Sequence, residues 1–362
     1  MSRPGVSIFV ALLAPLAAQQ APSPQPQPSE PRERRQSNYR YDASGRAVPG
    51  EPAVREERRG GVIERQESIR GASGQAVTTR SSQERVLSEQ GENRATERVI
   101  HRYDPDGRPT TRQMVRTETR RQADGSLVKV ESLWEQDVNG RMQFTERRTT
   151  TEAKTATGGT ASIVVERPAF SGSLEVVERT DRTDAKKSDA VTESVSSTRR
   201  REANGRLEER QRESSVATKS GEVTTRETQQ WEYNVGGTGK MDFTGRTSSR
   251  LTEQPDGSQV EDLEVYTTRI ADTTPDLNRP GVPTLEQQVR REKKVQPDGK
   301  IVETTSARVR QVAEPARLRG LLVTEQVTTP GAEGQTVETK VSERDANGRL
   351  QLVRRMVEEQ KK

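Results

Sequence analysis

Cysteine is absent from the 362 residues, and histidine occurs once. Without thiols the chain has no disulfide staple, no thiolate nucleophile and no thiolate metal ligand. The single imidazole, His101, has no second His or Cys with which to hold a metal or build a triad. Aromatic residues make up 3% of the chain and hydrophobic residues 28%, too few large apolar side chains to fill a core of this length. Beyond the first residues no apolar run is long enough to cross a bilayer as a helix. Gly-rich phosphate loops and nucleophile elbows are missing as well. These absences leave no enzyme to argue for and imply no cofactor.

Charge is plentiful, at 32% of residues, but nearly balanced: 60 Lys and Arg against 55 Asp and Glu give +5. The signs are interleaved, which describes a solvated surface; a nucleic-acid partner would call for concentrated basic groups. The carboxylates stand beside Arg or Lys, which suits structural ion pairs better than general acid work.

The start reads as a secretory signal over residues 1–18. Arg3 supplies the charged region, Val6 to Leu16 a short apolar core, and Leu16-Ala17-Ala18 a small-residue cleavage site. Residues 19–36, rich in Pro, Gln and Ser, read as a disordered spacer. Residues 37–362 read as one continuous repeat region. The expected location is therefore periplasmic or extracellular, with no transmembrane segment left after cleavage.

What is present in quantity is a turn. Asp345-Ala346-Asn347-Gly348-Arg349 is one copy; others end at Gly107, Gly125, Gly140, Gly205, Gly257 and Gly299. An acidic or Gln residue, any residue, Asp or Asn, then Gly matches a three-residue hairpin loop closed by a bulge with left-handed Gly. Turns recur every 16–18 residues or so, and Val- and Thr-rich runs of period two lie between them. Thr111, Gln113, Val115, Thr117 and Thr119 share one face; Arg112, Met114, Arg116, Glu118 and Arg120 share the other. The expectation is an all-β fold: an elongated, twisted antiparallel meander of about eighteen long strands, largely single-layer. Composition alone would equally permit disorder; the turn spacing weighs against it. A transmembrane barrel fits the hairpins and the leader, but three Arg on one face and Gln with three Thr on the other leave no lipid-facing side.

A longer repeat overlies the hairpins. Trp134 to Thr145 returns as Trp231 to Thr244 with two extra loop residues. Hairpin pairing of Asp137 with Arg141 places Trp134 opposite Phe144. Pairing of Asn234 with Lys240 places Trp231 opposite Phe243 and Tyr233 opposite Met241. The insertion leaves the register intact. Trp134, Phe144, Trp231, Tyr233 and Phe243 are thus cross-strand register clamps or, alternatively, exposed platforms for a glycan or a partner protein. Pairing also sets Arg250 opposite Asp262 and Lys293 opposite Glu303. Asp104-Pro105-Asp106-Gly107 has the opening of a calcium loop but lacks its later acidic ligands, and turn chemistry accounts for it.

Asn38-Tyr39-Arg40-Tyr41-Asp42-Ala43-Ser44-Gly45-Arg46 and Tyr103-Asp104-Pro105-Asp106-Gly107-Arg108 resemble the YD repeats of Rhs-type bacterial surface and toxin proteins. That resemblance implies strips of β-hairpins that wind into a shell; elsewhere in this chain only the turn and its trailing basic residue remain. The functional expectation is a non-enzymatic structural, spacer or scaffold protein of the cell envelope or extracellular space. The alternatives are an adhesin-like module for a glycan or cell-wall polymer and, less favoured, an Rhs-like shell or an outer-membrane barrel.

Overall fold

The computed structural model describes residues 33–41, 47–59, 61–70, 75–233, 240–268, 283–311, 314–332, 334–344 and 349–361. The expected signal segment, residues 19–32 and the turn at Asp345–Gly348 lie outside them. Twenty strands follow one another. They are β1 (Glu33–Tyr41), β2 (Ala47–Arg59), β3 (Val62–Arg70), β4 (Ala76–Gln90), β5 (Asn93–Tyr103), β6 (Pro109–Arg121) and β7 (Leu127–Gln136). Next come β8 (Met142–Thr155), β9 (Gly158–Pro168), β10 (Leu174–Lys186), β11 (Val191–Arg201), β12 (Leu207–Ser220), β13 (Val223–Tyr233) and β14 (Met241–Glu253). The last six are β15 (Gln259–Thr267), β16 (Thr284–Val295), β17 (Ile301–Gln311), β18 (Glu314–Gly331), β19 (Gly334–Arg344) and β20 (Leu350–Lys361). No helix occurs among the described residues. Strand β1 starts at Glu33, so residues 33–36, expected within the spacer, belong to the wall.

Every strand pairs antiparallel with its sequence neighbour, as a meander requires. The expected open sheet is corrected in one respect: β1 also pairs with β20, with Ser37 opposite Val357 and Tyr39 opposite Arg355. The strip closes into a barrel, and there are twenty strands where about eighteen were expected. Closure removes both free edges, each of which would expose a row of unpaired backbone groups.

The turns form as their chemistry dictates. Asp137 N–H donates to the Arg141 carbonyl (2.9 Å) and Gly140 N–H to the Asp137 carbonyl (3.0 Å), with Gly140 at φ +80°. The Asp137 carboxylate accepts from the N–H groups of Asn139 and Arg141 at 2.9 and 2.8 Å. Asp104 holds its turn in the same way. Turns leading from odd to even strands gather at one rim, called here the loop rim. The others gather at the terminal rim, with the start of β1 and the end of β20.

A second device was not read from the sequence. Each hairpin of the loop rim carries a register shift a few residues from its turn. The extra residue is Thr79, Thr110, Thr145, Val177, Arg210, Thr244, Glu286, Leu321 or Val353 in nine of them, and β1–β2 is irregular at Gln36 to Asn38. Terminal-rim hairpins are regular except at Leu87. Bulges bend the strand and tighten its twist, so a ring of them supplies the curvature that closes the wall. Four bulge threonines return their hydroxyls to the chain: Thr79, Thr110, Thr145 and Thr244 donate to backbone carbonyls at 3.2–3.3 Å.

Register carried from strand to strand divides all side chains between two faces. The buried strand residues Val54, Ile100, Val165, Thr228, Val289, Thr339 and Glu358 all fall on one of them. The exposed large apolar strand residues Leu174, Val195, Leu207, Val216 and Leu350 all fall on the other. Side chains crowd on a concave wall and splay on a convex one, so the first face is the lumen.

Candidate functional site: the lumen and an aromatic collar

Between the buried apolar residues Val54, Ile100, Val165 and Val289, the lumen lining carries side chains that hydrogen-bond. Thr180 and Thr198 share a hydroxyl contact at 2.9 Å, and Thr228 donates to Ser215 at 3.1 Å. Charges there are paired: Lys129 with Glu131 (2.9 Å), Arg182 with Asp184 (2.9 Å), Arg200 with Glu178 (2.8 Å) and Arg291 with Glu261 (2.9 Å). At the closing seam Arg34 donates to Glu358 at 2.6 Å, and that hydrogen bond raises the Arg34 pKa above its ordinary value. Between β4 and β7 the inner wall holds a groove of about 290 Å³ bordered by Glu84, Arg94, Arg98, Thr117, Lys129 and Glu131.

The outer wall is also polar through its middle. Arg85–Glu97 (2.7 Å), Arg116–Glu118 (3.0 Å), Arg147–Glu166 (2.7 Å), Arg179–Asp181 (2.9 Å) and Arg290–Glu292 (2.8 Å) all face outward. His101 shares this face, opposite Arg112. Among the described residues no cluster of three His, Cys, Asp or Glu could hold a metal ion.

The residues singled out in the sequence come together as two ring pairs. Trp134 meets Phe144 edge-on at 5.5 Å and 75°; Trp231 meets Phe243 at 5.9 Å and 69°. Trp134 stands opposite Phe144, Trp231 opposite Phe243 and Tyr233 opposite Met241, the expected register. Arg250 faces Asp262, and Lys293 faces Glu303, as expected. Tyr233 lies under the Arg210 guanidinium at 4.5 Å, and Arg210 pairs with Glu202.

Reasoning from hairpins alone missed that these pairs belong to a larger arrangement. All five side chains point outward, and all lie within a few residues of a loop-rim turn. So do Tyr39, Tyr103 and Tyr266, while Phe170 stands fully exposed at the tip of the β9–β10 turn. Tyr266 packs under Arg246 at 4.5 Å and donates its hydroxyl to Glu264 at 2.7 Å. Outward Met114, Met142, Leu174, Leu207, Met241, Leu285, Leu350 and Leu352 continue the band between the aromatics. No described aromatic residue lies near the terminal rim. The sequence carried a signal for this: its aromatics flank only alternate turns.

Those alternate turns also end differently. At the loop rim the residue after the turn Gly is Arg108, Arg141 or Arg206, with Ser173 after Gly172 as an exception, and Lys240 occupies the matching place before β14. At the terminal rim it is Ser126, Ser258 or Lys300. Arg108, Arg141, Arg206 and Lys240 are exposed and make no ion pair among the described residues, whereas Asp104 and Asp137 are occupied by their own turns.

No protein-family model and no curated protein matches the chain. Three solved structures align over most of it. Salmonella typhi OmpF, in complex with daunomycin, aligns at 5% identity and TM-score 0.34, over 91% of this chain and 96% of that one. A porin-like protein from Bacteroides uniformis aligns at 11% identity and TM-score 0.15, over 78% and 96%. The β domain of the Bordetella autotransporter BrkA aligns at 8% and 0.15, over 91% and 97%.

Proposed function

We propose that the chain is a non-enzymatic barrel of the cell envelope, a rigid wall around a hydrated bore through which polar solutes pass. The observation that carries this reading is closure by β1 and β20 around a lining of Ser, Thr, Gln and paired charges. Twenty strands spaced about 4.8 Å apart and tilted about 40° enclose a cylinder about 40 Å across the backbone. Barrels of 16 to 18 strands already hold an aqueous channel. Nothing in the lining would activate a nucleophile or hold a metal among the described residues. The closed wall supports the less favoured barrel expectation better than the open spacer.

A membrane-spanning barrel is the second reading. The start of β1 and the end of β20 meet at one rim and aromatics gather at the other, which favours it. The outer wall opposes it. Arg85, Arg116, Arg147, Arg179, Arg212 and Arg290 stand outward near mid-strand, and an outward Arg costs about 2–4 kcal/mol at the bilayer midplane. Six of them sum to about 12–24 kcal/mol before pairing is credited. The wall therefore runs through water or against protein, and hydrocarbon is left to the collar.

The native chain lacks Cys, so single cysteines report the bore cleanly. Thr117→Cys, on the inner wall, should react with small polar maleimides and progressively less with larger polymer-linked ones. Thr149→Cys, on the outer wall, should react with all of them. Equal size-dependence at both sites would refute the bore, and an inner site closed even to the smallest reagent would refute passage.

A further inference from the structure

A ring differs from a patch in what it can meet. The collar lies outside one rim at a single level on β1, β5 to β8, β10, β12 to β16 and β20, and so reaches most of the way round, with β2 to β4 and β17 to β19 contributing none of it. A globular partner touches one arc of such a ring, whereas a plane touches all of it together. The band is also shallow. Its outward positions span about four residues per strand, or about 10–13 Å along the barrel axis at ordinary rise and tilt. That is about half the apolar height a spanning barrel needs, yet it matches the depth to which interfacial groups enter the boundary between headgroups and acyl chains.

The side chains fit that boundary. Trp and Tyr carry an apolar ring and a polar edge and concentrate at bilayer interfaces. Beyond the collar, at the turn tips, stand the unpaired cations Arg108, Arg141 and Arg206, placed to meet phosphate. The Asp104 and Asp137 carboxylates accept from the N–H groups of their own turns and Glu202 pairs with Arg210, while Asp106 stands exposed beside Arg108. The turn arginines are the cations offered at the tips, complementary to lipid phosphate.

We infer that the loop rim docks on the surface of a phospholipid bilayer, with Trp134, Phe144, Trp231 and Phe243 in the interfacial layer and the three turn arginines on headgroup phosphates. The inference rests on the collar and needs no open bore, so it stands or falls separately from the conduit reading.

Both tryptophans of the chain belong to the collar, so intrinsic fluorescence reports the collar alone. The full chain is mixed with vesicles of phosphatidylcholine containing phosphatidylglycerol, and flotation and emission are followed. The expected result is co-flotation, a blue shift, and stronger quenching by lipids brominated near the carbonyls than by those brominated near the chain ends. Phe144→Ser/Phe243→Ser, with circular dichroism confirming the sheet, should lower vesicle partitioning roughly tenfold or more. Arg108→Gln, Arg141→Gln and Arg206→Gln, which touch only turn tips, should each lower it roughly fivefold on anionic vesicles and little on neutral ones. Absence of flotation and quenching by the folded wild type would overturn the inference. So would strongest quenching from the chain ends, which would mean a spanning barrel. Unchanged partitioning in folded Phe and Arg variants would do the same.

Discussion

The pairing of β1 with β20 can be locked covalently. Ser37 and Val357 stand directly opposite one another on the outer face of the seam. Opposed residues of an antiparallel pair have Cα atoms about 4.5–5.5 Å apart, inside the span a disulfide accepts. In an open twenty-strand strip the same residues would lie about 90 Å apart, at about 4.8 Å per strand. Ser37→Cys/Val357→Cys should therefore oxidise within one chain in high yield. The product should run faster on a non-reducing gel and show a mass 2 Da below the dithiol, about one hydrogen lost per sulfur. The bond closes a loop of about 320 residues, worth about 5–6 kcal/mol in the chain-entropy model. The oxidised form should unfold at clearly higher urea than the same protein after reduction. Ser37→Cys/Val195→Cys, whose second site lies about half-way round the wall, should stay reduced. Cross-links found only between chains, or equal yields from both pairs, would refute closure.

Three further outcomes follow from particular contacts. Trp134→Thr should weaken its own hairpin by roughly 0.5–1.5 kcal/mol beyond the lost area, read as faster amide exchange around Met142 and Phe144, with no change six strands away at Trp231 and Phe243. Gly140→Ala forces a Cβ onto φ +80° and should cost about 1–2 kcal/mol, read as a lower urea midpoint; an unchanged midpoint would refute the strain. Hydrogen bonds from Tyr266 and Gln288 hold the Glu264 pKa below its ordinary 4.5, so its contribution is present above that value and lost as pH falls through and below it. Wild-type stability should drop more steeply than that of Glu264→Gln over this acid range, and parallel profiles would remove the assignment.

Much of the wall was legible in the sequence because hairpins are local. An Asp three residues before its Gly can cap its own turn, and a turn fixes which residues face each other for the length of both strands. That is why Trp134 and Phe144, or Arg250 and Asp262, could be placed opposite one another from spacing alone. The polar character of both faces was legible for the same reason, since period two assigns Arg116 and Thr117 to opposite sides without any tertiary knowledge. What the sequence could not show is which side is inside. Closure depends on Ser37 finding Val357, and no local turn relates residues so far apart. The ring of bulges at Thr110, Thr145 and Thr244 depends on the partner strand, because an extra residue is extra only relative to its neighbour. The collar became visible only after closure. Aromatics that are scattered along the chain at Tyr39, Trp134, Trp231 and Tyr266 share one rim because alternate turns of a closed meander do, and the geometry of the cylinder turns a period in sequence into a level in space.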